Sequence, residues 1–182
     1  MMVKVHGHWM HVPIAFGLTL LLTGTYESEK LMSKLFIESV KKGMTVIDIG
    51  AHVGYYSLLA ARVVGGEGNV YCFEPEYKNY YSLQKNINEN NYKNVLAYQK
   101  AVGNVDGAVK LYLTKSAADH SLVKTIQGQK SVIIESVTLD NFLAGQHIDI
   151  IKVDVEGAEM AVLQGMKQTI FENPHLKIFT EF

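Results

Sequence analysis

The feature that most constrains the fold is a glycine turn between an apolar run and a helical pattern. Residues 46–49 form a β-branched apolar run, interrupted only by Asp48, which is typical of a buried strand in a parallel sheet. Apolar residues recur at helical spacing over residues 57–64, and a pair of glycines follows them. The turn from Gly50 to Gly54 therefore joins a strand to a helix, which predicts an α/β fold.

The spacing within this turn points to a particular kind of ligand. The pattern Asp48-x-Gly50-x-x-x-Gly54 has two glycines, whereas a pyrophosphate loop requires G-x-G-x-x-G. An acid two residues before the first glycine suits a ligand with a cationic amino-acid part, because a carboxylate attracts an ammonium group. S-adenosylmethionine has such a part. A turn that serves only the packing of the strand on the helix is the alternative.

Composition limits the class of protein. A chain of 182 residues with 48% hydrophobic content predicts one domain with an ordinary core. The net charge is −1, and Lys and Arg form no dense cluster, so we expect no nucleic-acid partner. The single cysteine, Cys72, excludes an intrachain disulfide and agrees with a reducing compartment, so we expect a cytoplasmic location.

The first 26 residues are predicted to form a separate segment that covers the site or is poorly ordered. The apolar run at residues 12–22 has about half the roughly 20 residues that a membrane span requires, so we expect no span. A secretory signal is the weaker alternative. His6, His8 and His11 raise the possibility of a metal site, but no acid or cysteine lies near them. We expect surface histidines and no metal.

An acid follows the second predicted strand. An amphipathic helix at residues 27–42 leads into the glycine turn, and residues 69–73 form a strand that completes a βαβ unit. Glu74 follows this strand and lies 24 residues beyond Gly50. An acid at this position in a parallel sheet can accept hydrogen bonds from both ribose hydroxyls of an adenosine cofactor. A solvated carboxylate at the strand end is the alternative.

The third predicted strand is assigned to the cofactor site only because of its position in the sheet. A helix at residues 76–90 precedes a strand at residues 95–102. The end of that strand, Ala101 and Val102, is predicted to lie beside an adenine ring, where small apolar side chains serve better than charge.

An insertion follows at about residues 104–138. It contains strands at residues 108–113 and 131–139 with a polar stretch between them, and substrate-selecting loops usually occupy such positions. His120 lies in the polar stretch. It could act as a general base, although a solvated histidine is the more common case.

The last predicted site-bearing strand covers residues 148–155. Lys152 and Asp154 share one face of it because side chains alternate along a strand. If this strand lies beside residues 46–49, then Asp48 converges with Lys152 and Asp154 at one crevice. Residues 156–159 are predicted to start a helix with apolar residues at helical spacing from Ala158 to Ile170, and Glu159 in its first turn is expected to be structural. The final strand is predicted at residues 176–180.

These motifs together resemble a known family. They are Val46-Ile-Asp-Ile-Gly-Ala-His-Val-Gly-Tyr-Tyr-Ser, Cys72-Phe-Glu-Pro-Glu, Val137-Thr-Leu-Asp-Asn-Phe and Ile150-Ile-Lys-Val-Asp-Val-Glu-Gly-Ala-Glu. From about residue 24 onward the chain resembles the FkbM-type class I S-adenosylmethionine-dependent methyltransferases. The resemblance implies an α/β, Rossmann-like, doubly wound and mostly parallel sheet with flanking helices, in one methyltransferase domain at residues 27–182.

The resemblance also implies residue roles. The implied cofactor contacts are Asp48, Gly50, His52, Gly54, Tyr55 and Glu74. An acceptor hydroxyl would lie near Lys152, Asp154 and Glu156. Similar proteins mostly methylate oxygen, often on sugars or natural products, so we expect a small-molecule or saccharide acceptor.

The sequence departs from the family pattern in two places. His52 stands where the family usually has asparagine, and class I sheets end in a strand hairpin that we expect this sequence to lack. Either the insertion strands take the place of that hairpin, or a partner chain covers the edge at residues 176–181, for example in a homodimer.

The expected mechanism is methyl transfer in which Asp154 takes the hydroxyl proton and Lys152 holds the carboxylate or the acceptor oxygen. A purely structural Lys152–Asp154 pair is the alternative. The competing functions are a non-catalytic cofactor-binding or oligomerising module and, less favoured because the pyrophosphate loop is missing, a nucleotide-dependent oxidoreductase.

Overall fold

The computed structural model describes residues 1–14, 17–18, 30–114, 121–123 and 129–180. The strands are β1 (Met2–Val5), β2 (His8–His11), β3 (Thr45–Ile49), β4 (Asn69–Phe73), β5 (Val95–Tyr98), β6 (Ala101–Val102), β7 (Gly107–Tyr112), β8 (Ser131–Val137), β9 (Ile150–Val153) and β10 (Lys177–Thr180). The α-helices are α1 (Lys30–Ser39), α2 (Tyr55–Val64), α3 (Tyr77–Glu89), α4 (Leu139–Phe142), α5 (Glu159–Gln164) and α6 (Lys167–Glu172).

The central sheet has five parallel strands in the order β10-β9-β3-β4-β5. Because successive side chains of a strand point to opposite faces, Val46 packs in one apolar cluster while Ile47 and Ile49 pack in another. Both faces of β3 are therefore buried, as its continuous apolar run predicts. The α/β class, the parallel sheet and the flanking helices are confirmed.

The prediction of a single third strand over residues 95–102 is wrong. The stretch divides into β5, which ends the central sheet, and β6, which pairs in parallel with β8. Strand β8 also pairs antiparallel with β7, so the insertion forms a second sheet in the order β6-β8-β7. Ala101 and Val102 are buried in this second sheet, not at the end of a central strand.

The insertion strands form a separate sheet and do not extend the central one, so the alternative in which they take the place of a final strand hairpin is wrong. Within the described residues, β10 pairs with β9 and with no other strand. Cover of this edge by a partner chain stays a prediction.

The helix predicted from about residue 157 to residue 170 is two helices, α5 and α6. A Cβ atom at Gly165 would lie 1.9 Å from the carbonyl oxygen of Gly103, so the backbone of the second sheet passes directly against the break. The break therefore has a packing cause that the apolar periodicity does not reveal. The helix predicted at residues 27–42 is described from Lys30 onward, and residues 27–29 lie outside the described part.

The first residues form an antiparallel hairpin, β1 and β2, that the sequence analysis did not predict. Asn86 on α3 anchors it, because its side-chain oxygen accepts from the His11 N–H at 2.6 Å and its amide donates to the His11 carbonyl at 3.1 Å. The same amide donates to the Val53 carbonyl at 2.8 Å, which links the hairpin to the glycine turn. No helix within the described residues is long and apolar enough to cross a membrane.

The prediction of three surface histidines is wrong for His8. Its side chain points into the hairpin core and is 2% exposed, and neither ring nitrogen has a hydrogen-bond partner among the described residues. Burial, aided by the nearby charges of His6 and Arg62, lowers the pKa of His8 to about 4. No group of three potential metal-binding side chains occurs in the described ranges.

This burial predicts acid sensitivity. An unfolded chain takes up a proton on His8 near pH 6.5, whereas the folded chain does so near pH 4, so the free energy of unfolding falls as pH drops between these values. The total loss is expected to be on the order of 3 kcal/mol. In His8→Leu, urea unfolding at pH 7 and pH 5 should show a correspondingly smaller loss.

The matched control for this measurement is His175→Leu, at an exposed position. We expect it to change the free energy of unfolding by no more than about 0.5 kcal/mol, the usual range for surface substitutions. An equal acid sensitivity of the wild-type and His8→Leu chains would contradict the assignment.

Candidate active site

The carboxyl ends of β3, β4 and β9 lie side by side. In the register of the sheet, Asp48 on β3 faces Cys72 on β4 and Lys152 on β9. Two residues further along, Asp154 follows the end of β9. The predicted convergence of Asp48, Lys152 and Asp154 is confirmed.

The glycine turn bends over the end of β4. The N–H groups of Gly50 and Ala51 both donate to the Phe73 carbonyl, at 2.9 Å and 3.0 Å. Gly50 has a φ of 80°, and a Cβ atom there would lie 1.8 Å from the Asp154 carbonyl oxygen. Glycine is required at this position because the backbone after β9 approaches so closely. Gly54, with a φ of 96°, starts α2.

Asp48 is buried at the centre of the site, with 1% exposure. The Ser57 hydroxyl donates to its Oδ2 at 2.5 Å, while Oδ1 has no hydrogen-bond partner among the described residues. Burial raises the pKa of Asp48, whereas the Lys152 ammonium and the Ser57 hydroxyl act to lower it. The unpartnered oxygen can accept one further hydrogen bond.

Lys152 is a buried cation with two compensating neighbours besides Asp48. Its Nζ donates to Asp154 Oδ2 at 2.8 Å and lies 4.4 Å from the centroid of the Tyr56 ring. The Lys152 side chain is 4% exposed, but that of Asp154 is 28% exposed. The pair therefore has a buried cationic end and a carboxylate open to solvent, and only the carboxylate can meet an incoming molecule.

The solvated carboxylate considered for Glu74 is excluded, because Glu74 is 5% exposed. Its Oε2 accepts from the His52 N–H at 2.8 Å and its Oε1 from the Glu76 N–H at 2.9 Å. Burial raises the pKa of Glu74 to about 7, although these backbone donors act to lower it. The Asn79 side chain also donates to this carboxylate, so three of its four lone-pair positions are used and one is left for a further donor.

Other predicted residues are placed less centrally. Tyr55 opens α2 and directs its hydroxyl toward His6 Nε2, 3.5 Å away, so it contacts the N-terminal hairpin. The Glu156 side chain is exposed, and its carbonyl accepts from the Ser121 hydroxyl at 2.5 Å. Glu159 Oε1 accepts from the N–H groups of Val155 and Gly157, which confirms its structural role.

The sequence analysis missed two residues of the site, Tyr56 and Ser57. Both directly follow the glycine turn, and that adjacency is the signal that could have found them. The Tyr56 hydroxyl lies 3.2 Å from the Ser33 hydroxyl, which connects α1 to the Lys152 pair. His120 and residues 24–27 lie outside the described part of the chain.

Comparison with known proteins decides the family. The model of the methyltransferase FkbM domain matches residues 48–182, which include the glycine turn and every strand of the central sheet except part of β3. The chain belongs to the FkbM methyltransferase family. The methyl donor of this family is S-adenosylmethionine, and the predicted cofactor class is confirmed.

Individual relatives of this FkbM chain are distant. It is 27% identical over 144 residues to Methyltransferase 1 of Beauveria bassiana, covering 66% of this chain and 57% of the relative. It is 22% identical over 145 residues to the hexuronic acid methyltransferase AglP of Haloferax volcanii, covering 78% and 58%. The chain thus spans a little over half the length of these relatives.

Among solved structures, an rRNA methylase from Streptococcus thermophilus matches with a TM-score of 0.51 at 11% identity, over 82% of this chain and 69% of that one. This similarity shows the fold alone.

The site of this FkbM chain fits the donor of the family. Asp48 offers a buried carboxylate oxygen that lacks a partner in the described structure, and Glu74 offers a buried carboxylate with one lone-pair position left for a further donor. Asp48 lies near the carboxyl end of β3, and Glu74 follows the adjacent strand β4. The two carboxylates suit the two polar ends of an adenosyl amino acid, its ammonium group and its ribose hydroxyls.

Proposed function

We propose that this chain is an S-adenosylmethionine-dependent methyltransferase that methylates a hydroxyl oxygen of a small molecule or saccharide. The observation that carries the proposal is the partly exposed Asp154 carboxylate, which the buried Lys152 ammonium holds 2.8 Å away beside the glycine turn. One relative, AglP, is a hexuronic acid methyltransferase, which agrees with a saccharide acceptor without selecting it.

In this proposal, residues 27–182 form the methyltransferase domain, and the donor is held by the turn and the strand ends. Asp48 accepts from the ammonium group and Glu74 from the ribose hydroxyls. Gly50, His52, Gly54 and Tyr55 shape the turn between them. When bound, the donor supplies a methyl group on a positively charged sulfur.

The residues of the chain align the acceptor and move its proton. Asp154 accepts the hydroxyl proton as the acceptor oxygen takes up the methyl group, which the bound donor would give up while its sulfur kept the electron pair of the carbon–sulfur bond. Lys152 is a positioning residue, because its ammonium donates to the Asp154 carboxylate and fixes its orientation. Glu156 lies at the rim, where its exposed side chain can reach an acceptor.

Two alternatives have distinct signatures. A non-catalytic module would bind the donor tightly without turning it over on any acceptor of a panel of alcohols, amines and saccharides. A nucleotide-dependent oxidoreductase would bind NAD in preference to S-adenosylhomocysteine. We also propose that a second copy of the chain covers the edge of β10, which sedimentation would detect as a dimer.

Calorimetric titration with S-adenosylhomocysteine tests the donor site, with NAD as the comparison. We expect Glu74→Gln to weaken binding by roughly 10- to 100-fold, because hydrogen bonds to a charged group contribute about 1.5–3 kcal/mol. Since the pKa of Glu74 is about 7 in the free chain, wild-type affinity should fall as pH drops below 7 and level off above it. The Gln variant should lose this dependence.

The matched control is Glu76→Gln, two residues away. Glu76 caps α3 by accepting from the Asn79 N–H at 2.8 Å, and glutamine keeps an acceptor oxygen there. Affinity for S-adenosylhomocysteine should then change by less than about threefold. Equal binding by wild type and Glu74→Gln at every pH would refute the ribose assignment, and no heat from the wild type would refute the donor site.

A further inference from the structure

A groove of about 610 Å³ lies between the second sheet and the start of α5. Its volume is in the range of small-molecule sites, roughly 300–1,000 Å³. Its apolar walls are Val105, Val109, Leu122, Val123, Ala158 and Met160. The insertion contributes most of these residues, and the helix after β9 contributes the rest.

The groove is continuous with the proposed active site along the chain. Gly157 and Ala158 line it, and they follow Asp154 by only a few residues. The Ser121 hydroxyl donates to the Glu156 carbonyl at 2.5 Å and so fixes the insertion to the segment between Asp154 and the groove. Asp154 is not among the lining residues, so an acceptor held in the groove must extend beyond Gly157 to reach the Asp154 carboxylate.

Four of the described lining residues have polar side chains, namely Asn104, Lys110, Tyr112 and Ser136. Ser136 lines it with a side chain that is 1% exposed and whose hydroxyl has no hydrogen-bond partner within the described residues. None of the described lining residues is acidic, and Lys110 is the charged residue among them. A buried hydroxyl without a partner favours a ligand that brings one hydrogen-bonding group, because leaving it unpaired costs about 1–3 kcal/mol.

These features select against a free sugar. A monosaccharide carries a hydroxyl on nearly every carbon, and each hydroxyl that enters an apolar groove without a partner costs free energy. Walls of valine, leucine and methionine instead favour apolar surface, at roughly 25 cal/mol per Å² removed from water.

We propose that this groove binds the methyl acceptor and that the acceptor is a predominantly apolar alcohol without positive charge. The inference rests on the proposed function for its chemistry, but the groove and its ligand class can be tested separately. The apolar body of the acceptor lies between the insertion and α5, one polar group meets Ser136, and the reacting hydroxyl lies toward Asp154.

The first test uses the fluorescent probe anilinonaphthalene sulfonate, which is apolar and anionic, on the full chain. Val109 is half-buried on the same face of the second sheet as Ser136, so Val109→Trp should fill the groove and weaken probe binding by at least about tenfold. Ile133→Trp is the matched control, since Ile133 is 65% exposed on the opposite face of the same sheet. It should leave probe affinity unchanged.

A second variant keeps the test valid if Val109→Trp does not fold. Val105 is 52% exposed and lines the groove from the loop after β6, so Val105→Trp adds bulk without disturbing the buried side of the sheet. This variant should also weaken probe binding. Unchanged probe affinity in the folded Trp variants, equal weakening in Ile133→Trp, or no probe binding by the wild type would overturn the proposal.

Displacement of the probe identifies the ligand class. Naphthylmethanol, an apolar alcohol, should displace the probe, whereas D-glucose and D-glucuronate at the same concentration should not. Displacement by the sugars but not by naphthylmethanol would overturn the ligand class. Calorimetry of the wild type with S-adenosylhomocysteine reports on the donor site alone, so failure of the proposed function is recognised independently of the groove.

Discussion

Gly50→Ala is expected to lower the free energy of unfolding by at least about 4 kcal/mol and to abolish binding of S-adenosylhomocysteine. The added Cβ would lie 1.8 Å from the Asp154 carbonyl oxygen, and that atom belongs to the backbone, which no rotamer change can move aside. The φ of 80° adds strain of roughly 1–2 kcal/mol for any side chain. Urea unfolding and calorimetry measure the two losses.

Gly43→Ala separates strain from clash. Gly43 has a φ of 81°, almost the same as that of Gly50, but a Cβ atom there would meet nothing within 4 Å. It should cost only the strain, roughly 1–2 kcal/mol, and leave ligand binding intact. If Gly50→Ala proved no more destabilising than Gly43→Ala, the backbone after β9 would not press against the glycine turn, and the geometry of the site would need revision.

The part of the site that sequence could predict is the part in which local pattern and parallel topology agree. A β-branched run broken by a single acid indicates a buried strand, and parallel strands bring their carboxyl ends together. Those two rules place Asp48, Lys152 and Asp154 in one crevice, where the structure has them. Glu74 follows by the same reasoning.

Sequence could not predict features that depend on long-range packing. A two-residue stretch, Ala101–Val102, has no periodicity of its own, and its pairing with β8 depends on residues more than thirty positions away. The break between α5 and α6 depends on the approach of Gly103 to Gly165. The apolar pattern of the helix does not indicate that approach.

The N-terminal hairpin was not predicted from sequence for a different reason. Its histidines and tryptophan suggest a polar surface, but Val3, Val5 and Met10 alternate inward with His8, and Asn86 pairs with the hairpin backbone. A pattern of alternate residues is present in these strands. This pattern is short and includes the titratable residue His8, so hydropathy alone does not indicate that the residues are buried. Their burial depends on tertiary contacts.

Asp154→Asn is expected to lower kcat for methyl transfer to an alcohol by roughly 100- to 10,000-fold, the usual contribution of a general base. Asparagine has nearly the same shape and still accepts from Lys152, but it cannot take the hydroxyl proton. Affinity for S-adenosylhomocysteine should change by less than about threefold, because the donor is held by Asp48 and Glu74. Labelled methyl transfer and calorimetry give the two values.

Asp149→Asn provides the matched control on the same chain. Asp149 immediately precedes β9, at the opposite end from Asp154, and its side chain is 22% exposed, close to the 28% of Asp154. Its Oδ2 accepts from the Thr45 N–H at 2.8 Å, so the substitution should reduce stability by about 1 kcal/mol and leave kcat unchanged. Full turnover in Asp154→Asn, with a loss of stability alone, would show that the pair with Lys152 is structural. Asp149 precedes β9 and Asp154 follows it, so a general disturbance of this strand would affect both variants alike. A loss of kcat in Asp154→Asn alone would therefore indicate a role in proton transfer.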